Sequence, residues 1–160
     1  MQLKDKVAVI TGASGDIGKK ILEEFSKEGA DIYALVRNID DKDFINYTEN
    51  LISINKNKIK IVHLDLEKEE TIKSSFELIK KDNINIDILV NNAGSITNSL
   101  FQMTSLNSIK SIFEVNFFSQ FLLTQTYLKL ISKSKNGSIV FVSSNSSIEN
   151  PVGRCAYSAS

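Results

Sequence analysis

The stretch Lys6-Val7-Ala8-Val9-Ile10-Thr11-Gly12-Ala13-Ser14-Gly15-Asp16-Ile17-Gly18 decides how this chain folds. It opens with a short β-rich apolar run and passes through three glycines. From there Ile17, Ile21, Leu22 and Phe25 recur at helical spacing until Gly29 interrupts them. The reading is strand, turn, helix. Glycines at such a turn let a pyrophosphate approach backbone N–H groups at the positive end of the helix, so the loop points to nucleotide binding. The common dinucleotide fingerprint spaces its glycines G-x-G-x-x-G; here Gly12, Gly15 and Gly18 are spaced three and three.

Working outward, the alternation continues. Asp31–Val36 reads as a second strand, a polar helical stretch follows from about Asp40 to Asn55, and Lys58–Leu64 reads as a third strand. A helix near Lys68–Lys81, a strand at Ile86–Val90, a long helix over Ser105–Ser132 and a strand at Ser138–Val142 complete the pattern. Apolar strands without period-two alternation need cover on both faces, and connections of helix length make them parallel. The predicted class is α/β: a doubly wound parallel sheet of the Rossmann type in one domain spanning residues 1–160, with no internal repeat.

Composition narrows the function. At 42% hydrophobic content, 160 residues suffice for one core. Lys+Arg and Asp+Glu number 19 each, so no net field draws the chain to nucleic acid or an anionic membrane; a small metabolite is the natural partner. No apolar run reaches the ~18 residues of a membrane span, and the start lacks a signal-peptide pattern, which reads as cytoplasmic. Cys155 is the single cysteine and His63 the single histidine. That composition argues against a disulfide framework, a metal cluster or a Ser/His/Asp hydrolase. His63 is expected at a strand end, and Cys155 as a small packing residue.

Taken together, the Thr11-Gly12 loop, Asp65-Leu66, Asn91-Asn92-Ala93-Gly94, Asn116, Ser144 and Tyr157 resemble the short-chain dehydrogenase/reductase family along essentially the whole chain. Within it, the likeness is greatest to the 3-oxoacyl-[acyl-carrier-protein] reductases. The family's loop usually has glycine where Asp16 stands. The resemblance implies that Gly12, Ser14, Gly15, Ile17 and Gly18 line the pyrophosphate and nicotinamide side of a cofactor, and that Asp65 and Leu66 flank its adenine. It also implies that Asn92, Ala93 and Gly94 meet the adenosine ribose region, and that the full-length protein is a dimer or tetramer.

Arg37 bears on which cofactor. A carboxylate closing the second strand would bond the ribose 2′-OH of NAD and repel a 2′-phosphate, whereas an arginine offers charge-assisted bonds to that phosphate. Here the strand ends Leu35-Val36-Arg37-Asn38, and Asp40 and Asp41 come later, where the next helix begins. NADP(H) is therefore expected over NAD(H).

By resemblance, Tyr157 is the acid/base and Ser144, 13 positions earlier, holds the substrate oxygen, with Ser143 as second choice. Asn116 would support a proton-relay water. The substrate is a carbonyl compound or secondary alcohol, and the family's choice among such substrates lies largely after the tyrosine helix. A lysine four residues after the tyrosine tunes it in the family, and the sequence given ends at Ser160. Two expectations follow: the 160-residue polypeptide is a C-terminally incomplete domain, inactive or nearly so, and it is marginally folded because its long apolar helix and fifth strand lack cover. Against the reductase stands the alternative of a catalytically dead nucleotide- or partner-binding remnant.

Overall fold

The computed structural model describes residues 1–82 and 84–160. Its strands are β1 (Val7–Thr11), β2 (Asp31–Val36), β3 (Ile59–His63), β4 (Ile88–Asn91) and β5 (Ser138–Phe141). They form one sheet in the order β3-β2-β1-β4-β5, with every neighbouring pair parallel. The chain winds outward from β1 to β3 and then crosses back to β4. Loops leaving β1 and β4 therefore part in opposite directions, the switch point at which such sheets open a crevice.

The helices are α1 (Asp16–Lys27), α2 (Lys42–Asn55), α3 (Glu69–Lys81), α4 (Leu106–Phe113), α5 (Ser119–Ile131), α6 (Ser146–Glu149) and α7 (Cys155–Ala159). Pleating divides the core between the two faces of the sheet. Val9, Tyr33, Leu35 and Leu89 pack with Phe76 and Ile79 of α3 and with Leu123 and Tyr127 of α5. Ala8, Ile10, Ile32, Ala34 and Val90 pack with Leu22 of α1 and with Phe44 and Leu51 of α2. Both faces are covered, as the unbroken apolar strands require. Each large side chain removed from water contributes about 1.5–3 kcal/mol.

The structure departs from the predicted pattern in three places. The single helix expected over Ser105–Ser132 is divided: a π-helical segment, Glu114–Phe118, separates α4 from α5. Hydropathy does not distinguish a π turn from α-helix, since both present the same side chains in the same order. Beyond the fifth strand lies the short α6, where no helix is predicted; α7 falls where the resemblance implies a helix at Tyr157. Cys155, expected to pack, is exposed at the start of α7 because that helix leaves its outer side uncovered.

The long apolar segment is buried only on its sheet side. Leu123 and Tyr127 are fully enclosed, whereas Phe117, Phe118 and Phe121 are each more than half exposed. Strand β5 forms one edge of the sheet, with Val140 and Phe141 also open. His63 lies at the exposed end of β3, as read from the sequence. Among the described residues no helix is long and apolar enough to cross a membrane.

Candidate active site

The glycine loop is built by backbone contact. Gly12 has φ +63°, and a β-carbon there would stand 2.9 Å from Ala93 Cα; one at Gly18 would stand 2.1 Å from the Gly12 carbonyl oxygen. Only glycine fits at these two positions. Gly15 differs: φ is −75°, and its β-carbon would meet nothing nearer than 3.5 Å. Its role is to cap α1, and it brings no side-chain acceptor to the first turn. The leading N–H groups of α1 are thus left for an outside anion.

Thr11 fastens this loop to the end of β4. Its hydroxyl oxygen accepts from the N–H groups of Asn92 (3.0 Å) and Ala93 (2.9 Å), and its hydrogen points to the Val90 carbonyl (3.4 Å). In return the Asn92 amide donates to the carbonyls of Thr11 and Gly12 at 3.0 and 3.3 Å. The two loops that flank the switch point form one rigid unit.

A cavity of about 690 Å³ opens on this unit and is lined by Gly12, Ser14, Gly15, Ile17, Gly18, Arg37, Asp65, Leu66, Asn92, Ala93 and Gly94. Every residue expected from the sequence to meet the cofactor is on its wall. Arg37 is exposed and has no acidic partner among the described residues. Asp41 is occupied elsewhere, accepting from the N–H groups of Asp43 and Phe44 as the cap of α2. Asp65 accepts from the Glu67 N–H at 3.2 Å and stands 3.6 Å from the Lys68 ammonium.

A second cavity, about 430 Å³, shares Ile17, Asn92, Ala93 and Gly94 with the first and adds Asn116, Ser143, Ser144 and Tyr157. The three side chains singled out for catalysis, more than 40 residues apart at the extremes, meet here. Ser144 Oγ accepts from the Ser146 N–H at 3.2 Å as the chain turns into α6, so its hydrogen remains available. Tyr157 reaches the cavity from α7. The two cavities adjoin along one wall, and together with the open start of α1 they fit an extended dinucleotide.

The sequence reading missed a polar row that holds this wall. Asn116, Gln120 and Thr124 stand at four-residue intervals, spanning the π segment and α5, opposite Ser95, Ala93 and Asn91. Asn116 brackets Ser95, accepting from its N–H at 2.7 Å and donating to its carbonyl at 2.9 Å. Gln120 donates to the Ala93 carbonyl at 2.7 Å, and the Asn91 amide donates to Thr124 Oγ1 at 3.0 Å. The remaining Asn116 hydrogen goes to Ser160 Oγ at 2.8 Å. In this arrangement Asn116 is a brace, and the π turn is what brings it to the loop. Three polar residues at helical spacing in an otherwise apolar segment were the available signal.

These features define a Rossmann-type α/β fold with Ser144 and Tyr157 both on the wall of its second cavity. The short chain dehydrogenase family matches residues 6–160, and the chain belongs to that family. The 3-oxoacyl-[acyl-carrier-protein] reductase FabG of Aquifex aeolicus is 32% identical over 158 residues, which cover 99% of this chain and 63% of that protein. The cyclopentanol dehydrogenase of Comamonas testosteroni is 31% identical over 159 residues, covering 99% and 62%. A solved short chain dehydrogenase from Escherichia coli CFT073, complexed with NADPH, superposes with a TM-score of 0.89 at 25% identity, over 99% of this chain and 66% of that one. The chain thus spans 62–63% of the length of these two curated relatives.

Proposed function

We propose that the protein is an NADP(H)-preferring oxidoreductase that interconverts a carbonyl compound and a secondary alcohol, with residues 1–160 as its dinucleotide-binding domain. The observation that carries this reading is the shared wall: one cavity offers the open start of α1 and Arg37, and the adjoining one offers Ser144 and Tyr157. The cofactor, when bound, supplies or accepts the hydride. Tyr157 gives its phenolic proton to the substrate oxygen as negative charge develops there, and Ser144 donates a hydrogen bond to the same oxygen. Asn116 and Gln120 hold Ser95 and Ala93 so that the shared wall keeps its shape. Arg37 receives the 2′-phosphate.

A 3-oxoacyl thioester is the first substrate to try, on the strength of the Aquifex relative, with cyclic and linear ketones next. The exposed side of the π segment and α5, with Phe117, Phe118 and Phe121, is the surface through which copies of the protein pair as a dimer or tetramer. A free Cys155 suits a reducing cytoplasm. The test is NADPH and NADH consumption by the intact protein over a panel of carbonyl substrates, with dinucleotide binding followed separately by fluorescence. Turnover on at least one carbonyl, faster with NADPH, is the expected result. Dinucleotide binding with no turnover on any of them would reject the reductase reading.

A further inference from the structure

The charge on the wall of the first cavity is opposite to what its ligand needs. Three acids line it, Asp16, Asp65 and Glu67, against one base, Arg37. Two of the acids are engaged: Asp65 with the Glu67 N–H and the Lys68 ammonium, Glu67 with the Ser111 hydroxyl at 3.1 Å. Asp16 is different. It is the first residue of α1, it is exposed, and among the described residues its carboxylate has neither a hydrogen-bond donor nor a cationic partner. It stands where the first-turn N–H groups of a 12-residue helix face the cavity with no side-chain cap.

We infer that Asp16 is a built-in brake on dinucleotide affinity. Its carboxylate complements the positive end of α1 while the cavity is empty, and repels the pyrophosphate that the same helix end attracts. This rests on the proposed cofactor reading and adds to it a residue that sets how tightly, and for how long, the dinucleotide is held. Two effects of opposite sign follow. Removing the charge weakens the empty protein slightly, because the helix start loses its anion, and strengthens the complex, because the repulsion is gone. A residue with a merely structural role would move both in the same direction.

The experiment compares the intact wild-type protein with Asp16→Asn and Asp16→Glu, reading melting temperature without ligand and dissociation constants for NADPH, NADH and adenosine. Asp16→Asn should melt slightly lower on its own yet bind both dinucleotides about five- to tenfold more tightly, with a gain that shrinks as salt is raised. Asp16→Glu, which keeps the charge, should bind as wild type does, and adenosine, which has no phosphate, should bind all three alike. Equal or weaker dinucleotide binding by Asp16→Asn, or an equal gain for adenosine, would overturn the inference while leaving the cofactor reading intact. If no form binds a dinucleotide, both readings fall together.

Discussion

The two cavities at the carboxyl ends of the strands are made in different ways. The first rests on main chain held close to main chain, Gly12 against Ala93 and Gly18 against Gly12, and fastened by the Thr11 hydroxyl to the loop that leaves β4, about 80 positions away. The second is assembled from side chains on short pieces, with Ser144 ahead of the four-residue α6 and Tyr157 on the five-residue α7. The contrast separates two demands. On the proposed function, the first would be a phosphate-binding wall, rigid and close to the backbone, and the second would present a proton donor on an element that lets its hydroxyl meet a substrate oxygen.

Several changes would break or sharpen that contrast. The largest effect is expected from Tyr157→Phe, which leaves the first cavity untouched: turnover by the intact protein should fall about 10²- to 10⁴-fold with the NADPH dissociation constant unchanged, as steady-state kinetics and fluorescence titration would show. An equal loss of cofactor affinity would mean that the two cavities are not separable. Gly18→Ala attacks the other side, since its β-carbon would sit 2.1 Å from a backbone oxygen. A cost of about 3 kcal/mol and a severe loss of dinucleotide binding are expected in denaturant titration and fluorescence. Gly15→Ala, one turn of loop away, should stay within about 0.5 kcal/mol of wild type, because nothing lies nearer than 3.5 Å.

Thr11→Val tests the clamp between the loops. It strands the N–H groups of Asn92 and Ala93 and should cost about 1–3 kcal/mol, with a weaker hold on the dinucleotide. The smallest effect is placed at the opposite end of the sheet. Asp87 precedes β4; burial acts to raise its pKa, but the Ser134 hydroxyl, the Val7 N–H and the Lys6 ammonium together hold the carboxyl below its usual value. A carboxylate with a lowered folded pKa stabilises the protein fully above its unfolded pKa, near 4, and that contribution is lost as pH falls through the folded value. Urea midpoints of wild type and Asp87→Asn should therefore differ at pH 7 and converge on acidification below pH ~4, with the cofactor end unaffected.

Much of the first cavity was legible in the sequence, and less of the second. The Thr11–Gly18 loop and the five strands follow from short-range patterns, whereas Asp65, Leu66, Asn92, Ala93 and Gly94 came from resemblance; these five and the loop glycines all line the cavity. The sequence could not rank its three glycines, because what forbids a β-carbon at Gly12 is Ala93, distant along the chain. Around the second cavity Ser144, Tyr157 and Asn116 were found only through resemblance. Gln120 and Thr124 escaped notice, as did the π turn, because the contacts they make with Ala93 and Asn91 and the Asn116–Ser95 pair lie across the fold and leave no local pattern.

What the sequence alone determined is the alternation of strands and helices and the glycine turn that opens the crevice, because apolar runs, helical spacing and φ freedom act between near neighbours along the chain. Only the tertiary structure decided that two cavities share a wall, that a row of polar side chains braces it, and that Asp16 lines the first cavity with no partner among the described residues. Those outcomes depend on which backbone groups and charges are brought within a few ångströms of one another, and residues 80 positions apart carry no local trace of that meeting.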